Sequence, residues 1–281
     1  MDNKEWDLVI KPKTGWFDIN LKEIWQYRDL VGLFVKRDFT TFYKQTILGP
    51  LWVIISPILS TLIFTVVFGM IAGISTDGIP QFIFYMSGNV LWTYFSTCLT
   101  KTATTFTGNT RLFGKVYFPR LIMPISVTVS GLINFAIQMC LFIILIVGYI
   151  IGGANINPGI HILLTPFLVL ETAVLALGFG IIISSLTTKY RDLAVLINFG
   201  VQLWMYITPV VYPVSQIPDK FKGLILLNPM APIVECFRYA FLGCGAFPLE
   251  YLIISVITSL LILFIGVLVF NKIEKTFMDT V

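Results

Sequence analysis

Apolar residues in this chain fall in long runs separated by short polar stretches, not in the alternation of a half-buried strand. A helix crosses about 30 Å of hydrocarbon with roughly 20 apolar residues, each adding about 1.5 Å. Six runs reach that length: 51–73, 81–100, 121–151, 162–187, 193–211 and 249–270. The third is longer than a crossing needs, which a tilt or an extension beyond the bilayer accommodates. The second and fifth are the most polar. Ser87, Gly88, Asn89, Thr93, Ser96 and Thr97 interrupt one, Asn198 and Gln202 the other. Backbone in lipid must satisfy its own hydrogen bonds, so helices or closed barrels are the choices, and the alternation of barrel strands is missing. The pattern predicts an all-α integral membrane protein with six transmembrane helices; five or seven spans stay open.

Two segments flank this core. From about Asn20 to Thr46, Ile24, Tyr27, Val31, Phe34, Val35 and Phe42 recur at helical steps while Arg28, Asp29, Lys36 and Lys44 lie largely off the stripe. Asn20 with Glu23 resembles a capping box. A basic amphipathic helix before a span fits the cytoplasmic interface, either as an anchor or as a docking surface for a partner. Residues 1–50 have no apolar signal-peptide core. Between the fifth and sixth runs, five prolines (Pro209, Pro213, Pro218, Pro229 and Pro232) punctuate two short apolar stretches, 221–227 and 233–242. Short re-entrant helices forming a lid fit there, because irregular backbone at membrane depth must be covered by protein. The organisation is an N-terminal segment 1–50 with the amphipathic interface helix, a six-helix domain 51–271 and a tail 272–281.

Composition agrees: 57% of residues are apolar and 12% charged, against about 25% charged in a soluble domain. Charge then orients the chain. With six spans, both termini share a side with loops 101–120 and 188–192, and that side carries 16 of the 19 basic residues. Lys220, Lys222 and Arg238 are the rest. Basic loops stay inside, so both termini are expected in the cytoplasm, and the net charge of +4 reflects this bias and anionic lipid head groups, not nucleic acid.

No enzyme chemistry emerges. Gly108 to Lys115 superficially resembles a phosphate-binding loop, but it is one residue too long, Val116 replaces the magnesium-binding hydroxyl, and no strand precedes it. A single histidine, His161, supports neither a hydrolytic triad nor zinc. Cys98, Cys140, Cys236 and Cys244 lack CxxC spacing, and on one helix Cys236 and Cys244 would lie about 12 Å apart, too far for a disulfide.

Polar positions inside the runs hold what chemistry there is. Ser126, Ser130, Asn134 and Gln138 form a stripe on the third run, and Asn198, Gln202 and Tyr206 one on the fifth; such stripes face other helices or a wet cavity. Glu171 is either a functional carboxylate or a helix–helix contact. Gly148 and Gly152 would permit close helix approach. Phe82, Tyr85, Trp92, Tyr94, Phe95, Trp204, Tyr206 and Tyr212 cluster in the two polar runs, where aromatic faces suit sugar rings; a belt plus lipid-facing filler is the other reading.

Ile24 to Leu30, Val35 to Asp38, Tyr43-Lys44 and Leu48 to Trp52 with Pro57 resemble the start of the membrane subunit of ATP-binding-cassette exporters of lipid-linked polysaccharides, the O-antigen and teichoic-acid type. Lys115 to Arg120, Tyr190 to Leu193, Pro209 to Pro213, Leu227 to Met230, Phe237-Arg238 and Glu274 to Phe277 extend the resemblance along nearly the whole chain, with Pro50 a departure. It implies a permease without a catalytic site of its own, in the bacterial cytoplasmic membrane. Its partners would be a second copy, two ATPase subunits that hold ATP and magnesium, and an undecaprenyl-linked glycan. By the same resemblance, Arg28, Asp29, Lys36, Arg37, Tyr117, Phe118, Pro119, Arg120, Arg191 and Asp192 would contact the ATPase. Tyr85, Trp92, Tyr94, Phe95, Asn198, Gln202 and Tyr206 would line the glycan path, and Tyr212, Pro213, Asn228, Pro229 and Arg238 would form a periplasmic gate. An ATP-driven exporter of another lipid or a drug shares this architecture; an ion-coupled transporter would need Glu171 as its coupling site.

Overall fold

The computed structural model describes residues 21–44, 48, 49, 51–187, 190 and 192–280, without the side chains of 21, 42, 43, 111 and 274–280. These residues are helix, turn and linker, with no strand among them. Helices α1 (Leu21–Gln26) and α2 (Arg28–Lys44) meet at Tyr27. They are followed by α3 (Leu51–Phe64), α4 (Gln81–Ala103), the one-turn α5 (Thr105–Gly108) and α6 (Thr110–Phe113), and α7 (Ile122–Ile151). Then come α8 (Thr165–Thr187), α9 (Leu193–Ile207), α10 (Asp219–Leu226), α11 (Met230–Leu242) and α12 (Leu249–Thr280). α3 continues as wider π-helical turns over Thr65–Ile71.

Four stretches are long and apolar enough to cross a membrane: Leu51–Ile71, Ile122–Ile151, Ile160–Thr187 and Leu249–Ile273. α10 and α11 would qualify only as one span broken by a 100° bend. α9, read from the sequence as reaching Val211, stops at Ile207, because Thr208 turns extended (ψ 138°) ahead of Pro209. A proline disfavours the helical region for the residue before it. At the other end of the chain, α12 runs past Phe270 to Thr280.

α4 is long enough at 23 residues but too polar to pass as a lipid-exposed span, and its position explains why. α3, α7, α8, α9 and α11 all pack against it, so its polar groups meet protein. Asn89 Nδ2 lies 2.8 Å from Ser60 Oγ, 3.2 Å from Thr61 Oγ1 and 3.3 Å from the Pro57 carbonyl of α3. Ser87 Oγ donates to the Phe84 carbonyl at 2.6 Å. Polar side chains at such depth join helices because the alternative is an unsatisfied group in hydrocarbon.

The close helix approach is not at Gly148 and Gly152. Among the described residues, nothing lies near a Cβ built on Gly148, and Gly152 meets only carbonyls of its own helix. It falls instead between α8 and α12, where a Cβ on Gly266 would lie 2.9 Å from the Gly178 carbonyl oxygen. The N-terminal stripe also finds its partner within the chain: Ile24, Tyr27, Val31 and Phe34 pack into a cluster with Phe113, Phe118 and Ile122.

Candidate functional site

Polar chemistry concentrates where α9 ends and α10 turns into α11. Pro209 stops α9, and Asn228 with Pro229 forms the corner between the next two helices. Asn228 Oδ1 accepts from Trp204 Nε1 at 3.0 Å, while its Nδ2 donates to Thr208 Oγ1 at 2.9 Å. Tyr212 folds back so that its hydroxyl lies 3.2 Å from the carbonyls of both Tyr206 and Ile207 at the α9 end. Burial raises the Tyr212 phenol above its ordinary range, which keeps it a donor.

Beneath the corner, α11 carries a buried ion pair. Arg238 and Glu235 are 1% and 2% exposed, and Arg238 Nη1 donates to Glu235 Oε1 at 3.0 Å. Arg238 Nη2 reaches the carbonyls of Pro209 and Val210 at 3.0 and 3.1 Å, and its guanidinium sits 3.9 Å over the Phe84 ring. Glu235 Oε1 also accepts from the Val214 N–H at 3.4 Å. One planar fork thus ties α11 to α4 and to the linker after α9, which a lysine could not do. Neighbouring Ser255 of α12 places its hydroxyl against Glu171 of α8 and 2.7 Å from the Pro229 carbonyl. Glu171 Oε2 meets no partner among the described residues. Glu171 therefore joins α8, α12 and the corner.

The structure brings Tyr212, Pro213, Asn228, Pro229 and Arg238 to this one region. It divides the residues expected along a glycan path. Tyr85, Trp92, Tyr94 and Phe95 are buried; Phe95 stacks edge-on to Trp204 at 5.2 Å and Tyr94 packs on Phe135 at 5.4 Å. Asn198, Gln202 and Tyr206, one turn apart, all lie on the exposed face of α9.

At the opposite end, Phe118 and Pro119 are buried, with Phe118 between Phe34 (5.7 Å) and Phe113 (5.6 Å). Tyr117 points outward, 51% exposed, and donates to Glu23 at 3.3 Å. Arg120 lies over Phe113. Arg28, Asp29, Lys36 and Arg37 are exposed on α2, Arg37 paired with Asp38 at 2.7 Å. Asp192 is exposed; Arg191 lies outside the described residues, as does Pro50.

Sequence reasoning missed Glu235, Thr208 and Ser255, and it read Trp204 only as one of the clustered aromatics. Glu235 had a signal, since its i,i+3 spacing to Arg238 on a helix permits a pair. The others are ordinary membrane residues until the fold places them.

The ABC-2 type transporter family model matches residues 29–242. The O-antigen export system permease protein RfbA of Myxococcus xanthus is 29% identical over 264 residues, covering 93% of this chain and 98% of that protein. The protein of the same name from Klebsiella pneumoniae is 28% identical over 253 residues, 89% of this chain and 94% of its own. The polysialic acid transport protein KpsM of Escherichia coli is 24% identical over 251 residues, 87% and 93% of the two chains. With most of its length inside the family match, and with its long apolar helices, the chain belongs to the ABC-2 type transporter family of membrane proteins.

Proposed function

We propose that this chain is the permease subunit of an ATP-driven exporter of lipid-linked polysaccharide, acting as two copies with two separate ATPase subunits in the bacterial cytoplasmic membrane. The names of its relatives support the substrate class, and the α9 face supports the assembly. Asn198 and Gln202 present amides on an exposed face at membrane depth. An amide facing hydrocarbon without partners costs about 2–7 kcal/mol by transfer scales. A second copy across a wet pathway removes that cost, and with Tyr206 the stripe then offers amides and a ring to passing sugars. In this reading α4 and α9 are the second and fifth of six spans, both termini are cytoplasmic, and α1–α2 lies at the cytoplasmic interface. The α10–α11 corner re-enters the outer leaflet as the gate.

ATP and magnesium belong to the ATPase, so this chain's task is mechanical. Arg28, Asp29, Lys36, Arg37, Tyr117, Arg120, Arg191 and Asp192 supply the contact surface. Phe118 and Pro119 anchor that surface to Phe34 and α7, so that a push becomes rigid-body helix motion. Two linked measurements test the proposal: purification of the tagged chain in mild detergent with ATP hydrolysis assayed, and glycan export in cells carrying Asn198→Leu/Gln202→Leu. A co-purifying ATPase, weakened by Tyr117→Ala/Arg120→Ala, and export lost in the α9 variant are expected. A solitary, ATP-independent chain, or full export by the α9 variant, refutes it.

A further inference from the structure

Two members of the stripe on the third run line a groove that no residue of α9 enters. Asn134 and Gln138 of α7 face Thr93, Thr97 and Lys101 of α4, and with Ser56 of α3 they line a groove of about 240 Å³. Gly131 makes its floor: a Cβ there would lie 2.6 Å from Cys98 Sγ and 3.0 Å from the Tyr94 ring, so α7 and α4 close beneath it without a side chain between them. Gln138 is 6% exposed, yet its amide has no hydrogen-bond partner among the described residues. Lys101, at the last turn of α4, is exposed and makes no ion pair among them. An amide that opens into a mainly apolar groove with hydroxyls along it and an ammonium at its mouth calls for an amphiphilic, anionic, hydrogen-bonding ligand.

A second groove identifies the ligand as a lipid. Phe135 lines this groove and also a larger one of about 600 Å³, walled by Leu132, Met139, Ile143, Val169 and Leu170. Head-group chemistry and chain chemistry therefore meet at one phenyl ring, as they do within one amphiphile. We propose that the α3–α4–α7 groove binds an anionic phospholipid of the cytoplasmic leaflet. Its phosphate sits at Lys101, its ester oxygens meet the Gln138 amide and the hydroxyls of Ser56, Thr93 and Thr97, and one acyl chain passes Phe135 into the apolar groove. The cytoplasmic placement rests on the orientation proposed above; the binding itself does not depend on the exported substrate.

The test uses the full chain with its ATPase partner in nanodiscs of phosphatidylcholine and phosphatidylglycerol, with a trace of phosphatidylglycerol carrying a diazirine in its acyl chain. After photolysis, crosslinked peptides are mapped by mass spectrometry. Labelling concentrated on 132–143 and 165–173, relative to the lipid-facing surface of α12, is expected. Lys101→Gln should reduce it about tenfold, as for one charge-assisted hydrogen bond, and Lys101→Arg should restore it, with ATP hydrolysis unchanged in both. Gln138→Leu should reduce it at unaltered thermal stability. Uniform labelling of all lipid-facing helices, or labelling indifferent to Lys101→Gln, overturns the proposal. So does displacement by a polyprenyl phosphate but not by phosphatidylglycerol, which would make the groove a substrate site, and so does a disulfide between copies bearing Ser56→Cys.

Discussion

Arg238→Met should destabilise the chain far more than its small change in volume suggests. The substitution removes the 3.0 Å bond to Glu235 and those to the Pro209 and Val210 carbonyls, and it strands a carboxylate that is 2% exposed. Breaking a buried ion pair by deleting one partner costs about 3–5 kcal/mol. The decisive comparison is with Glu235→Leu/Arg238→Met. Removing both charges eliminates the stranded group, so the double variant should be more stable than Arg238→Met alone, with a coupling of about 1.5 kcal/mol or more, within the range for neighbours in one network. Arg238→Lys should fall between, because one ammonium cannot span Glu235 and both carbonyls. With Glu235→Leu alone completing the cycle, unfolding of the purified chain in mixed micelles, followed by circular dichroism against denaturing-detergent fraction, measures all five proteins. Additive effects, or a cost for Arg238→Met below about 1 kcal/mol, the ordinary level for single substitutions, would refute the reasoning.

Other parts of the fold carry expectations of their own. Gly266→Leu should force α8 and α12 apart at the Gly178 carbonyl and cost about 1–3 kcal/mol from overpacking, read as lost yield of monodisperse protein; Gly148→Leu, with nothing nearby, should be neutral. Asn228→Ala strands Trp204 Nε1 and removes the donor to Thr208 Oγ1, which keeps its own bond to the Trp204 carbonyl, and should cost about 1–3 kcal/mol, measured by the same micelle titration. Glu171→Gln can still accept from Ser255, so it should retain glycan export and fold stability; loss of export with ATP hydrolysis intact would instead mark Glu171 as an ion-coupling group.

How much of this was legible in the chain beforehand depended on what surrounds each helix. α3, α7, α8 and α12 show themselves by hydropathy because lipid covers at least one side of each; Ile144, Leu170 and Phe264, for instance, are 67%, 61% and 56% exposed. The amphipathic stripe of α2 was equally plain, but periodicity says only that a face is buried. That its cover is Phe113, Phe118 and Ile122 depends on a loop more than seventy residues away, which no local pattern encodes. The same limit explains the glycines. Gly148 and Gly152 have the spacing of a helix contact and no partner helix among the described residues, whereas Gly178 and Gly266 form one from two different helices.

α4 shows how the membrane setting changes the meaning of polarity. In lipid, each serine or asparagine counts against a span, and by that measure α4 is the weakest of the long helices. Yet Asn89 holds α3, Ser87 accepts from Arg238 Nε at 3.5 Å, and Gly88 lets the Val210 backbone approach to where a Cβ would stand 2.9 Å from its carbonyl oxygen. The residues that depress its hydropathy are the ones that fasten its neighbours, so low hydropathy here marks a helix enclosed by protein. α9 presents the opposite case. Its amides lower the hydropathy in the same way, but Asn198 and Gln202 are exposed, with no helix over them among the described residues. Sequence cannot distinguish the two, because polarity reports that a face avoids lipid without naming what covers it. If α9 is covered by a second copy, as proposed, cysteines placed at Asn198 should crosslink between subunits, whereas cysteines at Asn89 should not.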